Sequence, residues 1–170
     1  VPHYENQLIP AGNLEEAMVI IANMPLAEEP GSAFVYGLNT DVLGRVVEVV
    51  SESTFETYLR KNLFVPLSMN STGFASPPDA EAMPIVTPKD GELVIDAEHY
   101  AGGTTIYKPR FQSGGAGLWS TIGDYTRFCQ AMERDGELDG NRILRPETVA
   151  FMTQNHLGPG VKTDNGQRFG

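Results

Sequence analysis

Apolar side chains recur along this chain at the spacing of one helical face, and capping residues stand at the starts of those runs. Leu14, Ala17, Met18 and Ile21 form the first stripe; Asn13 is a good N-cap and Pro25 a terminator, so a helix is predicted over about Leu14–Asn23. A second helix is predicted over about Asp41–Val50, capped by Thr40. Its Leu43, Val46, Val47 and Val50 form one stripe, which Val42 and Val49 widen. Only Asp41, Arg45 and Glu48 remain as a polar edge, so this helix is expected to be largely buried, with Asp41 and Arg45 paired at i,i+4. Ser53 and Glu56 have capping-box spacing for a third helix, about Thr54–Leu63, with Pro66 just beyond it. Thr121 and Asp124 have the same spacing before a fourth, about Ile122–Arg134, whose apolar face is Ile122, Tyr125, Phe128, Cys129 and Met132. Pro146 suits the first turn of a last helix, Glu147–Gln154.

Between these helices the signals change. Pro30-Gly31 marks a turn that delivers the chain to Tyr36, and Asp139-Gly140 fits a tight hairpin. From Asn70 to Phe111 periodicity is lost except for one short strand candidate, Glu92–Ile95. Loops of this length are uncommon unless they cover a binding site or run over a larger body. A Gly-rich turn, "SGGAGLWST" (Ser113–Thr121), leads into the fourth helix.

Composition narrows the picture. The 170 residues, 41% hydrophobic and 20% charged, suit one soluble globular domain, and 18 Gly with 12 Pro predict long connections. A formal charge of -10 argues against nucleic acid or an anionic membrane surface as partner. The single cysteine, Cys129, excludes an internal disulfide, and its place on a predicted apolar face suggests a buried thiol. Val1–Pro10 lacks the features of a signal peptide, which with the acidic composition is compatible with the cytoplasm. The chain opens on "VPHYENQLIP" and closes on "NGQRFG", both in mid-pattern, and is expected to be part of something longer.

Candidate chemistry is sparse. His3, His99 and His156 have no metal-ligand spacing, so no metal or organic cofactor is implied. Gly114–Gly117 is neither a Walker A loop nor a dinucleotide fingerprint, and reads as a tight turn before a capped helix. Gly-x-Ser-x-Gly is absent, and so is Ser-x-x-Lys: the residues three before Lys61, Lys89, Lys108 and Lys162 are Tyr58, Val86, Thr105 and Pro159. Tyr36 stands where a loop hands over to a helix. There a phenol can transfer protons if a cation lies beside it, or simply anchor packing with its hydroxyl at the rim.

The neighbours of Tyr36 separate those readings. "PGSAFVYGLNTDVLGRVVE", "YLRKNLFVPLSMNSTGF", "SGGAGLWSTIGDYTRF" and "LDGNRILRPETVAFM" resemble, in order and spacing, the serine beta-lactamase-like superfamily of class C beta-lactamases, D-alanyl-D-alanine carboxypeptidases and family VIII carboxylesterases. The resemblance implies an α+β fold in which a helical region packs on an antiparallel sheet with the active site between them. This chain would be one region over residues 1–170, the central, mainly helical part with a few short strands. The Ser-x-x-Lys segment is expected upstream of Val1 and the Lys-Thr-Gly-type strand downstream of Gly170, so that the helices here are expected to expose the apolar face that normally meets the sheet, a patch inviting association. Tyr36 matches the tyrosine of the family's Tyr-x-Asn-like motif. Leu38 fills the third motif position and Asn39 follows one residue late, which looks like the esterase branch and argues against beta-lactam turnover.

The resemblance therefore implies a serine hydrolase of carboxylesterase type that acts on small esters through an acyl-enzyme, with Tyr36 as the base for a serine this chain does not carry. The chain alone is expected to be inactive. Asn39, Gly115 and Trp119 are the substrate-contact candidates, each with a purely structural reading beside it. A beta-lactamase or D-amino-acid peptidase is the alternative within the superfamily, and a non-catalytic binding or scaffold module the alternative outside it. The implied partners are a small ester or amide and the missing segments of the same protein.

Overall fold

The computed structural model describes residues 11–26, 28–34, 37–75, 86–95 and 112–157. Helix α1, Leu14–Ala22, starts where the sequence places it. Asn13 Oδ1 accepts from the Glu16 amide at 2.9 Å, and Glu16 Oε2 accepts from the Gly12 amide at 2.6 Å, which satisfies two amides that the helix itself leaves unpaired. Leu14 and Ala17 are buried, with Met18, Ile21, Leu38 and Phe55 packed around them.

Helix α2, Asn39–Ser51, reverses the orientation that its periodicity predicts. Its apolar stripe faces outward: Leu43 is 61% exposed, Val46 50% and Val50 80%. The only buried residues of α2 are Asp41 and Gly44, and Arg45 and Glu48 on the same face are half-buried. The inward stripe is therefore Asp41, Gly44, Arg45 and Glu48, the edge that patterning assigns to solvent. Close approach explains the reversal. A Cβ on Gly44 would lie 3.2 Å from Leu14 Cδ1 and 3.5 Å from Gly114 Cα, so the missing side chain lets two neighbours settle on the helix backbone. The flanking polar groups are consumed there. Arg45 pairs with Glu15 at 3.3 Å and with Glu48 at 3.1 Å, and Glu48 Oε1 accepts from the Phe55 amide. Arg45 thus takes these partners, and Asp41 pairs with Ser113 in place of the expected i,i+4 contact. Thr40 is not the cap: the helix begins one residue before it, with Leu38 in the N-cap position and no side-chain bond there.

Helix α3, Phe55–Leu59, is capped by Thr54, whose hydroxyl accepts from the Thr57 amide, not by the Ser53–Glu56 pair. It runs on into one π-helical turn, Arg60–Phe64. That turn buries Phe64 among Leu67, Met69, Ala131 and Leu138, the second of two small cores among the described residues.

Helix α4, Ile122–Glu133, has Thr121 as its cap, as expected, with the Thr121 hydroxyl accepting from the Asp124 amide. The Asp124 carboxylate does not close a capping box; it accepts from the Ser71 amide at 2.8 Å and the Thr72 hydroxyl at 2.9 Å. The inner face of α4 runs through Asp124, Arg127, Phe128 and Ala131. Ile122 is 88% exposed, and Tyr125 and Cys129 are exposed beside it, so Cys129 is not the buried thiol that patterning suggests.

Two hairpins complete the described elements. β1, Val86–Lys89, pairs antiparallel with the expected strand β2, Glu92–Ile95, through a turn in which Asp90 and Gly91 have φ of 53° and 85°. β3, Glu137–Leu138, and β4, Asn141–Arg142, flank the expected Asp139-Gly140 turn. Helix α5, Pro146–Met152, has Pro146 in its first turn.

Gly136 precedes β3 with φ of 86°, and a Cβ there would lie 2.4 Å from the Leu144 carbonyl oxygen; Gly140, with φ of 76°, has open space around it. Gly136→Ala is expected to cost about 2 kcal/mol or more and Gly140→Ala about 1 kcal/mol. Urea denaturation of the two variants should show that ranking, and equal losses would contradict the close approach at Gly136.

Candidate active site

Segment 112–120 ties together elements remote in sequence. Gln112 Oε1 accepts from the Glu56 amide at the start of α3, 2.7 Å away. Ser113 Oγ donates to Asp41 Oδ1 in the first turn of α2 at 2.6 Å, and both residues are buried. The same oxygen accepts from the amides of Gly115 and Ala116, each at 3.1 Å. One donated and two accepted bonds use the full capacity of that hydroxyl. Further along, Trp119 and Gly73 exchange backbone hydrogen bonds of 2.8 and 3.1 Å, and the hydroxyls of Ser120 and Thr72 meet at 2.8 Å.

The glycines of this turn are required by proximity. A Cβ on Gly114 would lie 1.9 Å from the Thr40 carbonyl oxygen, and one on Gly115 would lie 2.7 Å from Thr40 Oγ1. The turn thus lies directly against the start of α2, where Asn39 is the first helical residue. Asn39, Thr40 and Gly115 are exposed, while Asp41 and Ser113 beneath them are buried. The result is a solvent-facing corner of small and polar groups on a buried, hydrogen-bonded support.

Two of the sequence candidates, Asn39 and Gly115, therefore stand on segments held in contact. Trp119 is half-buried, and its described backbone bonds belong to a second junction, with Gly73. Tyr36 lies outside the described residues. Asp41 and Ser113 were not readable as a pair from sequence; the available signal was a Ser before two glycines, a type of residue that binds backbone amides two or three places on. Among the described residues no group of three His, Cys, Asp or Glu side chains is arranged to hold a metal ion.

An α+β chain with this helical region has the fold of the beta-lactamase and penicillin-binding protein group. The Beta-lactamase family model matches residues 2–169, and the chain belongs to that family. It is 32% identical over 139 residues to the lovastatin esterase of Penicillium rubens, which covers 79% of this chain and 34% of the esterase. It is 30% identical over 166 residues to esterase EstB of Burkholderia gladioli, covering 89% of this chain and 41% of that protein. Among solved structures, unliganded simvastatin synthase from Aspergillus terreus superposes with a TM-score of 0.72 at 24% identity, over 95% of this chain and 40% of that one. The chain spans about a third of the length of the first curated relatives it matches, 35% in each case.

Gly114→Ala is expected to force the turn off α2 at a cost of roughly 3 kcal/mol. In contrast, Gly123→Ala, whose Cβ would meet Thr121 Oγ1 at an ordinary 3.8 Å inside α4, is expected to gain up to about 1 kcal/mol. Urea midpoints of the two variants check both signs, and a tolerated Gly114→Ala would contradict the packing of turn on helix.

Proposed function

We propose that this chain is the central, mainly helical part of a serine hydrolase that cleaves small carboxylic esters through an acyl-enzyme. The observation that carries the reading is the presence of two esterases, at 32% and 30% identity, among its relatives in the Beta-lactamase family. In this reading a serine of a Ser-x-x-Lys segment outside residues 1–170 attacks the ester carbonyl carbon, and Tyr36 takes the hydroxyl proton. The alcohol leaves with a proton, and water then attacks the acyl-serine to release the acid.

A tyrosine has an ordinary pKa near 10, so its phenolate is available at neutral pH only beside a positive charge. The lysine of the same Ser-x-x-Lys segment fills that requirement. Gly37–Asp41 follow Tyr36 directly, and the anchorage of Thr40 and Asp41 on the Gly114 turn supports a fixed place for the start of this helix. Asn39 and Gly115 are the proposed substrate contacts, with Trp119 as a flanking wall. The outward apolar stripe of α2 supports the view that further segments of the same protein pack over this region.

In the complete gene product, a fluorophosphonate is expected to add to a single serine, and p-nitrophenyl butyrate to be hydrolysed. Tyr36→Phe should abolish turnover with the melting temperature nearly unchanged. Undiminished ester turnover in the folded Tyr36→Phe protein would remove the tyrosine from the mechanism. Nitrocefin turnover exceeding ester turnover would move the substrate class to beta-lactams.

A further inference from the structure

Asp41 is a buried carboxylate that takes no part in the proton transfers just described, and its described side-chain partner is the hydroxyl of Ser113, 72 residues away. A carboxylate oxygen accepts that hydroxyl more strongly than a neutral acceptor would. The contact it strengthens lies beneath the exposed corner. On one side Asp41 belongs to the first turn of α2, two residues after Asn39 and five after Tyr36. On the other, Ser113 Oγ draws the amides of Gly115 and Ala116 inward and fixes the curvature of the turn. The Gly114 backbone then closes on the Thr40 carbonyl, where no side chain fits.

We propose that Asp41 and Ser113 are a positioning pair for acyl transfer: their buried hydrogen bond sets how the Gly114–Gly117 turn sits against the head of α2, and hence the placement of Gly115 and Asn39 toward the substrate. The inference rests on the esterase reading above. Neither residue touches the reacting atoms; each acts through the backbone it holds. Misplacement of a catalytic framework by about 1 Å is enough for a hundredfold loss of rate, so the effect belongs in turnover rather than in binding.

The test uses the complete gene product with Asp41→Ala, Asp41→Asn and Ser113→Ala. Active sites are titrated with a fluorophosphonate, p-nitrophenyl butyrate turnover is expressed per titrated site, and melting temperature is recorded for each protein. Asp41→Ala and Ser113→Ala are expected to lose on the order of 10²-fold in kcat per titrated site, with little change in KM. Asp41→Asn keeps an oxygen acceptor for the Ser113 hydroxyl and is expected to recover most of that loss. A purely structural role predicts something different: fewer titratable sites and a lower melting temperature, with kcat per site unchanged, and this result would overturn the proposal. So would a loss confined to KM, or an Asp41→Asn protein as impaired per site as Asp41→Ala. Should Asp41→Ala not fold, Ser113→Ala and Asp41→Asn decide by the same criteria. A wild-type protein with neither label nor ester turnover overturns the esterase reading itself, and the positioning role falls with it. An active, labelled wild type with unaffected variants overturns only the positioning role.

Discussion

The hydrogen bond from Ser113 to Asp41, with the Gly114 backbone seated on the Thr40 carbonyl beside it, is the contact on which the arrangement of this chain depends. A hydrogen bond to a charged group contributes roughly 1.5–3 kcal/mol net, and loss of one buried partner costs the desolvation of the other. Its position matters more than its strength. Helix α2 rests on α1 through Gly44 and Leu14 and on α3 through Glu48 and Phe55. The 112–120 segment bonds to α2, to α3 and to Thr72 and Gly73 in turn. The described residues form two small cores, and these polar ties help to define how the elements meet.

That economy explains the reversed facing of α2 and the rotated facing of α4. In α2 and α4 the inward faces carry Asp41, Arg45 and Glu48, and Asp124 and Arg127, each with a specific partner on another segment. The valines of α2 and the Ile122–Tyr125 side of α4 look outward. Amphipathic patterning assumes that the apolar side is the inner side, which holds when the chain contains its whole core. Among the described residues the polar side of α2 carries its tertiary contacts, and its valines are largely exposed.

Legibility followed the range of each interaction. The Asn13 cap, the Thr121 cap, the Asp139-Gly140 hairpin and Pro146 at a helix start are decided within four residues, and all appear as read. Strand β1 was missed because Pro88 and Lys89 obscure its alternation, although Asp90-Gly91 is itself a hairpin signal. Periodicity gives the wrong facing for α2 because Gly44 acts through Leu14 and Gly114, and neither contact leaves a trace in a hydrophobic period. Asn39 and Gly115 were legible as candidates through whole blocks of sequence. Their physical connection was not, because it passes through a Ser–Asp pair that local spacing cannot join.

Sequence separation also has a temporal meaning. The α2–α3 tie of Glu48 to Phe55 spans 7 residues and the α1–α2 tie of Glu15 to Arg45 spans 30 (45 − 15), whereas the ties made by Ser113, Gln112 and Ser120 span 72, 56 and 48 residues. Short loops close first, and closure entropy grows only by about 0.6 kcal/mol per doubling of length, so the long ties are expected to form after the helices are docked. Interactions absent from the transition state act chiefly on the unfolding rate. The Ser113–Asp41 bond is then a determinant of how long the folded chain persists once made, more than of how fast it forms, a distinction that the two arms of a chevron plot separate.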